Sequence, residues 1–397
     1  MTAVLIHAGR VFTALEHEPV LHDAWVHVED SRIAEVTSSE PHVGDSAQRI
    51  DAPDATLLPG LIDCHVHLDL SGGPDWLSEL REPYAMTCWR AAAHARDTLR
   101  AGFTSVRSLA GRDGLDPALR DAQRNGMLVG PRIVAANLAI CMTGGHGYWL
   151  GREADGPEDV RKAVREQLKV GADCIKLIAT GGVMTPGVSP GSQQLTDAEL
   201  RAGVEEAHKA GKKVAAHAHG TDGIRAAVLA GIDSIEHGSF LTDETIELMR
   251  SHGTFFSVTL SSIDGFRQAP PNTVADWALE KANDVGQSLD DSFVRAYRAG
   301  VRIVLGTDAG TPFNRHGDNA HELELMVRLG MAPLDALRAG TRNSAELLGI
   351  LDRVGTIEAG KEADLVVCNG DATTDVSRLC NQSNIRLVIQ AGRIVHE

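Results

Sequence analysis

The sequence predicts an α/β protein: a (β/α)8 TIM barrel with a small β-sandwich domain made from both chain ends. Three observations carry this. The middle of the chain alternates short apolar runs with stretches of helical period, and the two ends hold only short β-prone runs. No Gly-x-Gly-x-x-Gly opens a helix after the first strand, which argues against an open doubly wound sheet. With 397 residues, 43% of them hydrophobic, the chain has room for a barrel of roughly 250 residues and a smaller domain.

The first 57 residues read as strands, with Ala3-Val4-Leu5-Ile6, Ala24-Trp25-Val26-His27-Val28 and Arg32-Ile33-Ala34-Glu35-Val36 lying between turns. The C-terminal end is alike, in Asp364-Leu365-Val366-Val367, Ile385-Arg386-Leu387-Val388-Ile389 and Gly392-Arg393-Ile394-Val395. Neither end has enough strands to bury a face alone, so residues 1–57 and 353–397 are expected to form one β domain around a barrel domain of 58–352. Eight barrel strands are expected: Leu61 to His65, Ser105 to Ser108, Arg132 to Ala135, Cys174 to Ile178, Lys213 to Ala216, Ser234 to Glu236, Thr254 to Val258 and Arg302 to Gly306. Helical periods such as Pro157 to Val170, Asp197 to Ala210 and Asp222 to Ala230 separate them. Pro270-Pro271 breaks this rhythm, which makes residues 262–283 either a lid or a surface excursion.

A net charge of −16 makes nucleic acid and anionic lipid poor partners. The six cysteines form no C-x-x-C pair and read as core thiols of a reducing compartment. No basic, apolar leader and no run of about 18 apolar residues is visible, so a cytoplasmic protein is expected. A homo-oligomer acting on a small amide or peptide is expected.

The chemistry sits at the strand ends. His65-Val66-His67 closes the first strand, and alternation puts both imidazoles on one side, able to grip one ion. Lys176 lies inside the apolar run Cys-Ile-Lys-Leu-Ile, where an unpaired ammonium is costly. Either it pairs with a carboxylate, or burial lowers its pKa and it reacts with carbon dioxide to give a carbamate that bridges two cations. His217, His237 and Asp308 each close a further strand, on the face where barrel enzymes keep their chemistry. Any one of them alone could be a core polar group or a turn; six in order point to a metal site.

This constellation resembles the binuclear-metal subgroup of the amidohydrolase superfamily. Pro59-Gly60-Leu61-Ile62-Asp63-Cys64-His65-Val66-His67 is similar to its opening motif. Gly355-Thr356-Ile357-Glu358-Ala359-Gly360-Lys361-Glu362-Ala363-Asp364-Leu365 is similar to the stretch leading back into its β domain. The resemblance implies that the barrel is distorted and that the reaction is hydrolysis of an amide-like bond. It implies that His65, His67 and Asp308 bind one divalent ion and His217 and His237 a second, both zinc, with Lys176 as N-carboxylysine bridging them beside a hydroxide. It also implies that Asp308 takes the proton of that hydroxide's parent water and returns it to the leaving amine.

Within the superfamily the chain resembles the dipeptidase-like branch of prolidase-like, Xaa-Arg dipeptidase-like and ochratoxin amidohydrolase-like enzymes. The resemblance rests on Cys141-Met142-Thr143-Gly144-Gly145-His146-Gly147, Ala179-Thr180-Gly181-Gly182-Val183-Met184 and His217-Ala218-His219-Gly220. It implies a dipeptide or N-acyl amino acid substrate. His146 and His219 are candidate substrate ligands, the alternatives being a loop histidine and a partner to a metal ligand. Members of the branch often carry Tyr where this chain has His219. An imidazolonepropionase-like enzyme, or one cleaving a carbamate or lactam, is the competing expectation on the same fold, and Lys176 argues against the mononuclear version.

Overall fold

A computed structural model describes residues 3–44 and 46–397. Residues 1, 2 and 45 of the expected terminal domain lie outside the described residues. The chain divides into two compact units. One takes the described residues of Met1–Asp63 with Arg96–Ser105 and Gly317–Glu397, and the other takes Cys64–Ala95 with Val106–His316.

In the first unit, strands from both chain ends join in one seven-stranded sheet. From edge to edge it runs Arg393–His396, Ile385–Gln390, Leu365–Asn369, Gln48–Pro59, Ala3–Phe12, Val20–Glu29 and Arg32–Thr37. The N-terminal strand pairs antiparallel with Val20–Glu29 and parallel with Gln48–Pro59, with an irregularity between Ala8 and Arg10. Val4, Ile6, Val26, Leu57, Leu365, Val367, Leu387 and Ile389 share one apolar cluster. Burying such a cluster is what neither chain end could do alone, at about 25 cal/mol per Å2 of apolar surface.

The (β/α)8 ring lies in the second unit apart from Leu61–Asp63 and Phe103–Ser105 of its first two strands, which fall in the first. The ring's strands are Leu61–Val66, Phe103–Ser108, Arg132–Ala135, Cys174–Ile178, Lys213–Ala218, Ser234–His237, Phe255–Ser257 and Ile303–Val304. From Cys174–Ile178 to Ile303–Val304 each pairs parallel with the next. Leu61–Val66, Phe103–Ser108 and Arg132–Ala135 form a separate three-stranded sheet in that order, and Asp173 N–H to Ala135 O at 2.7 Å leads from it towards Cys174–Ile178. The last strand returns to the first through Cys64 N–H to Leu305 O at 2.8 Å and Asp308 N–H to His65 O at 2.7 Å. The ring is therefore continuous in hydrogen bonds but irregular in its ladders, which is the expected distortion. Two short strands not anticipated from sequence, Ala139–Cys141 and Gly151–Glu153, pair alongside Cys174–Ile178.

Local sequence explains the intervening helices. Pro157–Val170 begins on proline with Glu158 and Asp159 in its first turn, and Gly171 at φ +99° ends it. Asp197–Lys209 starts from a capping box of Thr196 and Glu199. The stretch 262–283, expected to be a lid or a surface excursion, is helical on both sides of a turn at 268–275. It is shared by the helices Leu260–Arg267 and Asp276–Arg298, with the two prolines in the turn between them. Among the described residues, no helix is long and apolar enough to cross a membrane.

Candidate metal centre

All eight singled-out side chains lie in the second unit, and all of them line one cavity of about 800 Å3, counting the part open to solvent. His65 and His67 leave the first strand on one side. Their Nε2 atoms stand 3.3 and 3.0 Å from Asp308 Oδ1, and the Lys176 ammonium is 3.4 Å from His65 Nε2. The His237 ring lies 5.2 Å from that of His65 and 4.5 Å from that of His217. Among the described residues, two groups have ligand atoms close enough to hold an ion: His65, His67 and Asp308, and His217, His219 and His237, each set within 4.8 Å. His219, expected to meet substrate, thus stands among the expected ligands, stacked on His237 at 4.8 Å. His146 packs its ring 4.3 Å from His217. Gly182 makes room for that ring, since a Cβ there would come within 2.4 Å of it.

Each imidazole has one nitrogen held from behind. His67 Nδ1 meets Ala110 O at 2.8 Å, His237 Nδ1 meets Thr259 Oγ1 at 2.8 Å and His219 Nδ1 meets Ser239 Oγ at 2.7 Å. His217 is held by its Nε2, 2.9 Å from Gly181 O, and His146 Nδ1 is 2.8 Å from Thr185 Oγ1. His65 Nδ1 faces Glu236 Oε2 at 3.0 Å. Fixing one nitrogen orients the other, which is how proteins aim imidazoles at metals. The strand ends are strained to do it: His237 and Asp308 adopt φ of +72° and +61°, and Thr259 +60°, a left-handed conformation uncommon outside glycine.

The electrostatics suit a cation. Burial lowers the pKa of His65 to about 4 and that of His219 to about 4, and carries His217 and His237 well below the usual value. These four imidazoles are neutral and offer lone pairs. His67 differs: burial acts to lower it, but the Asp308 carboxylate outweighs burial and raises it above the usual value. Burial acts to raise Asp308, but His65 and His67 outweigh it and hold it at about 2, so it is ionised. Burial also brings Lys176 down to about 8, against the pull of Glu236 and Asp308. A set of imidazole nitrogens and carboxylate oxygen, buried and convergent, fits borderline divalent ions such as zinc.

Sequence reasoning missed the layer behind these ligands. Arg107, 1% exposed, donates to Glu236 Oε1 at 2.8 Å, to Cys64 O at 2.6 Å and to Ser234 Oγ at 3.2 Å. Glu236, fully buried, is held far below the usual carboxylate range: burial opposes this, and Arg107 and His65 overcome it. The available signal was a charge of each sign inside an apolar strand, Arg107 in Thr-Ser-Val-Arg-Ser and Glu236 in Ser-Ile-Glu-His. His94, on a helix where a solvated side chain is the ordinary expectation, is half-buried, bonded to Leu68 O at 2.8 Å and stacked on His316 at 4.4 Å.

Known proteins are similar to this chain. The ochratoxinase of Aspergillus niger is 34% identical over 374 residues, covering 85% of this chain and 75% of that one. The crystal structure of a Xaa-Pro dipeptidase with methionine in its active site matches at TM-score 0.90 and 35% identity, over 99% of each chain. A prolidase complexed with N-methylphosphonate-L-proline matches at TM-score 0.92 and 31% identity, again over 99% of each. Residues 56–395 match the Amidohydrolase family. On these grounds the chain belongs to the amidohydrolase family and is a hydrolase acting on carbon–nitrogen bonds.

Proposed function

We propose that this enzyme cleaves the amide bond of a dipeptide or N-acyl amino acid at a centre for two divalent ions, in the hydrolase domain of residues 58–352. The observation that carries the reading is the set of back-held imidazoles converging with Lys176 and ionised Asp308 on one cavity. His65, His67 and Asp308 would hold one ion, and His217 and His237 the other. Lys176 would join them once its neutral amine adds to carbon dioxide, forming an N–C bond and releasing one proton. When bound, the ions supply the positive charge that polarises the scissile carbonyl and acidifies a water.

The chain's own groups do the rest. Asp308, held ionised, accepts the water's proton at a carboxylate oxygen as the C–O bond forms. It passes that proton to the amide nitrogen as the C–N bond breaks. His146 and His219 border the same cavity and offer hydrogen bonds to the free carboxylate of the leaving amino acid. Burial keeps both neutral, His146 down at about 3, so they act as donors and not as charges. The relatives named for ochratoxin and Xaa-Pro dipeptide cleavage support this substrate class.

The test compares dipeptides with their C-terminal amides, using protein that carries its metals. The free acid is expected to be favoured in kcat/KM by on the order of 10², the size of one lost polar contact to a charged group. Equal rates would remove the carboxylate anchor and favour a carbamate or lactam substrate.

A further inference from the structure

Beyond the histidines, Lys176 and Asp308, no side chain lining the cavity is charged, among the described residues. Its walls are apolar. Leu150, Ile178 and Val183 supply one stretch, and the first two belong to a buried apolar cluster. Ile263, Phe266 and Leu289 supply another, from the helices Leu260–Arg267 and Asp276–Arg298. Each of the six is less than a tenth exposed. The neutral hydroxyls in the lining are partly committed: Thr259 Oγ1 to His237 Nδ1 at 2.8 Å, and Thr311 Oγ1 to Asp308 O at 2.8 Å. The Lys281 ammonium, which reaches the loop carrying Val183, is committed to Thr185 O at 2.6 Å and to Val188 O.

We infer that this cavity selects substrates whose side chain beside the scissile amide is uncharged and apolar, of leucine to phenylalanine size. The inference rests on the amide-hydrolase reading of the same site and narrows it. A carboxylate or ammonium on the substrate side chain would leave water and meet, beyond the neutral hydroxyls of Thr259, Ser262 and Thr311 and the indole of Trp149, only apolar groups, with no opposite charge on the walls. Burying a charge without a partner is among the most unfavourable events in a protein interior, whereas an aliphatic or aromatic group gains from leaving water. The polar floor does not relieve this, because its imidazoles are held from behind and its two charged groups face the reacting bond. Discrimination therefore comes from what the walls fail to offer a charge, the stronger kind of selection in a pocket of this sort.

Two measurements on the metal-loaded protein test it. Calorimetric binding of N-acetyl-leucine, N-acetyl-phenylalanine, N-acetyl-lysine and N-acetyl-glutamate reads the wall directly, without turnover. Turnover of matched dipeptides reads the chemistry. The neutral apolar ligands are expected to bind, and their dipeptides to be cleaved, at least about 10²-fold better than the charged ones. Ile263→Glu is expected to reverse the order toward the lysine ligand. Binding with this preference but no cleavage would uphold the inference and overturn the amide reading. Cleavage with charged side chains accepted equally would overturn the inference and leave the amide reading standing. Failure of all four ligands to bind would overturn the inference as well.

Discussion

At the scale of single residues, the site depends on charges placed where charges are expensive. Arg107 and Glu236 lie in two different strands of the ring, 129 positions apart, and both are out of reach of solvent. Each satisfies the other, and Glu236 in turn faces His65 Nδ1, so the His65 ring is set by a pair that does not itself line the cavity. Breaking such a pair leaves an unpartnered buried charge and costs about 3–5 kcal/mol. Glu236→Gln keeps the shape and removes the negative charge, so it is expected to lower unfolding stability by that amount in metal-free protein. Denaturant unfolding after chelation checks it, because a metal effect cannot contribute there. A midpoint unchanged from the parent would mean the pair is dispensable.

At the scale of elements, one of the cavity's loops is held by a helix far from it in sequence. The loop after Cys174–Ile178 carries Val183, Met184 and Thr185, all facing the site or His146. Lys281, from the helix Asp276–Arg298, bridges the Thr185 and Val188 carbonyls, and its ammonium stands 5.2 Å over the Trp277 ring. One side chain thus pins two backbone groups and, through Thr185, the orientation of His146. Lys281→Met is expected to raise amide hydrogen exchange across residues 181–192 at least about tenfold, since two carbonyl contacts vanish while the methylene stem remains. Exchange unchanged in that segment would show that the loop holds itself. These same elements mark the limit of sequence reading. Helix Asp276–Arg298 has a clear amphipathic period, yet Pro270-Pro271 before it pointed to a lid or excursion. The short strands Ala139–Cys141 and Gly151–Glu153 lie around a glycine-rich stretch that looks like plain loop. Three-residue strands carry too little periodicity to show.

At the scale of the whole molecule, much of the architecture was legible because a (β/α)8 ring repeats one rule. Each apolar run of four to six residues is a strand, and the polar residue that closes it points into the same mouth. That rule singles out His65, His67, His217, His237 and Asp308, and a buried charge inside an apolar run singles out Lys176; all six line one cavity. The rule was silent on partners across the ring, such as Arg107 with Glu236, because those contacts depend on which strands face each other and leave no local spacing. The family resemblance, not this rule, set His219 apart from the implied ligands, although alternation puts positions 217 and 219 on the same side of one strand end and their imidazoles group with that of His237. The central claim is that the convergent set holds two ions through Lys176. Elemental analysis of protein purified without chelator, run beside Lys176→Ala, tests it most directly. The account predicts about two divalent ions per chain in the parent and loss of most of that metal in the variant. One ion per chain, or a variant that keeps both, would contradict it.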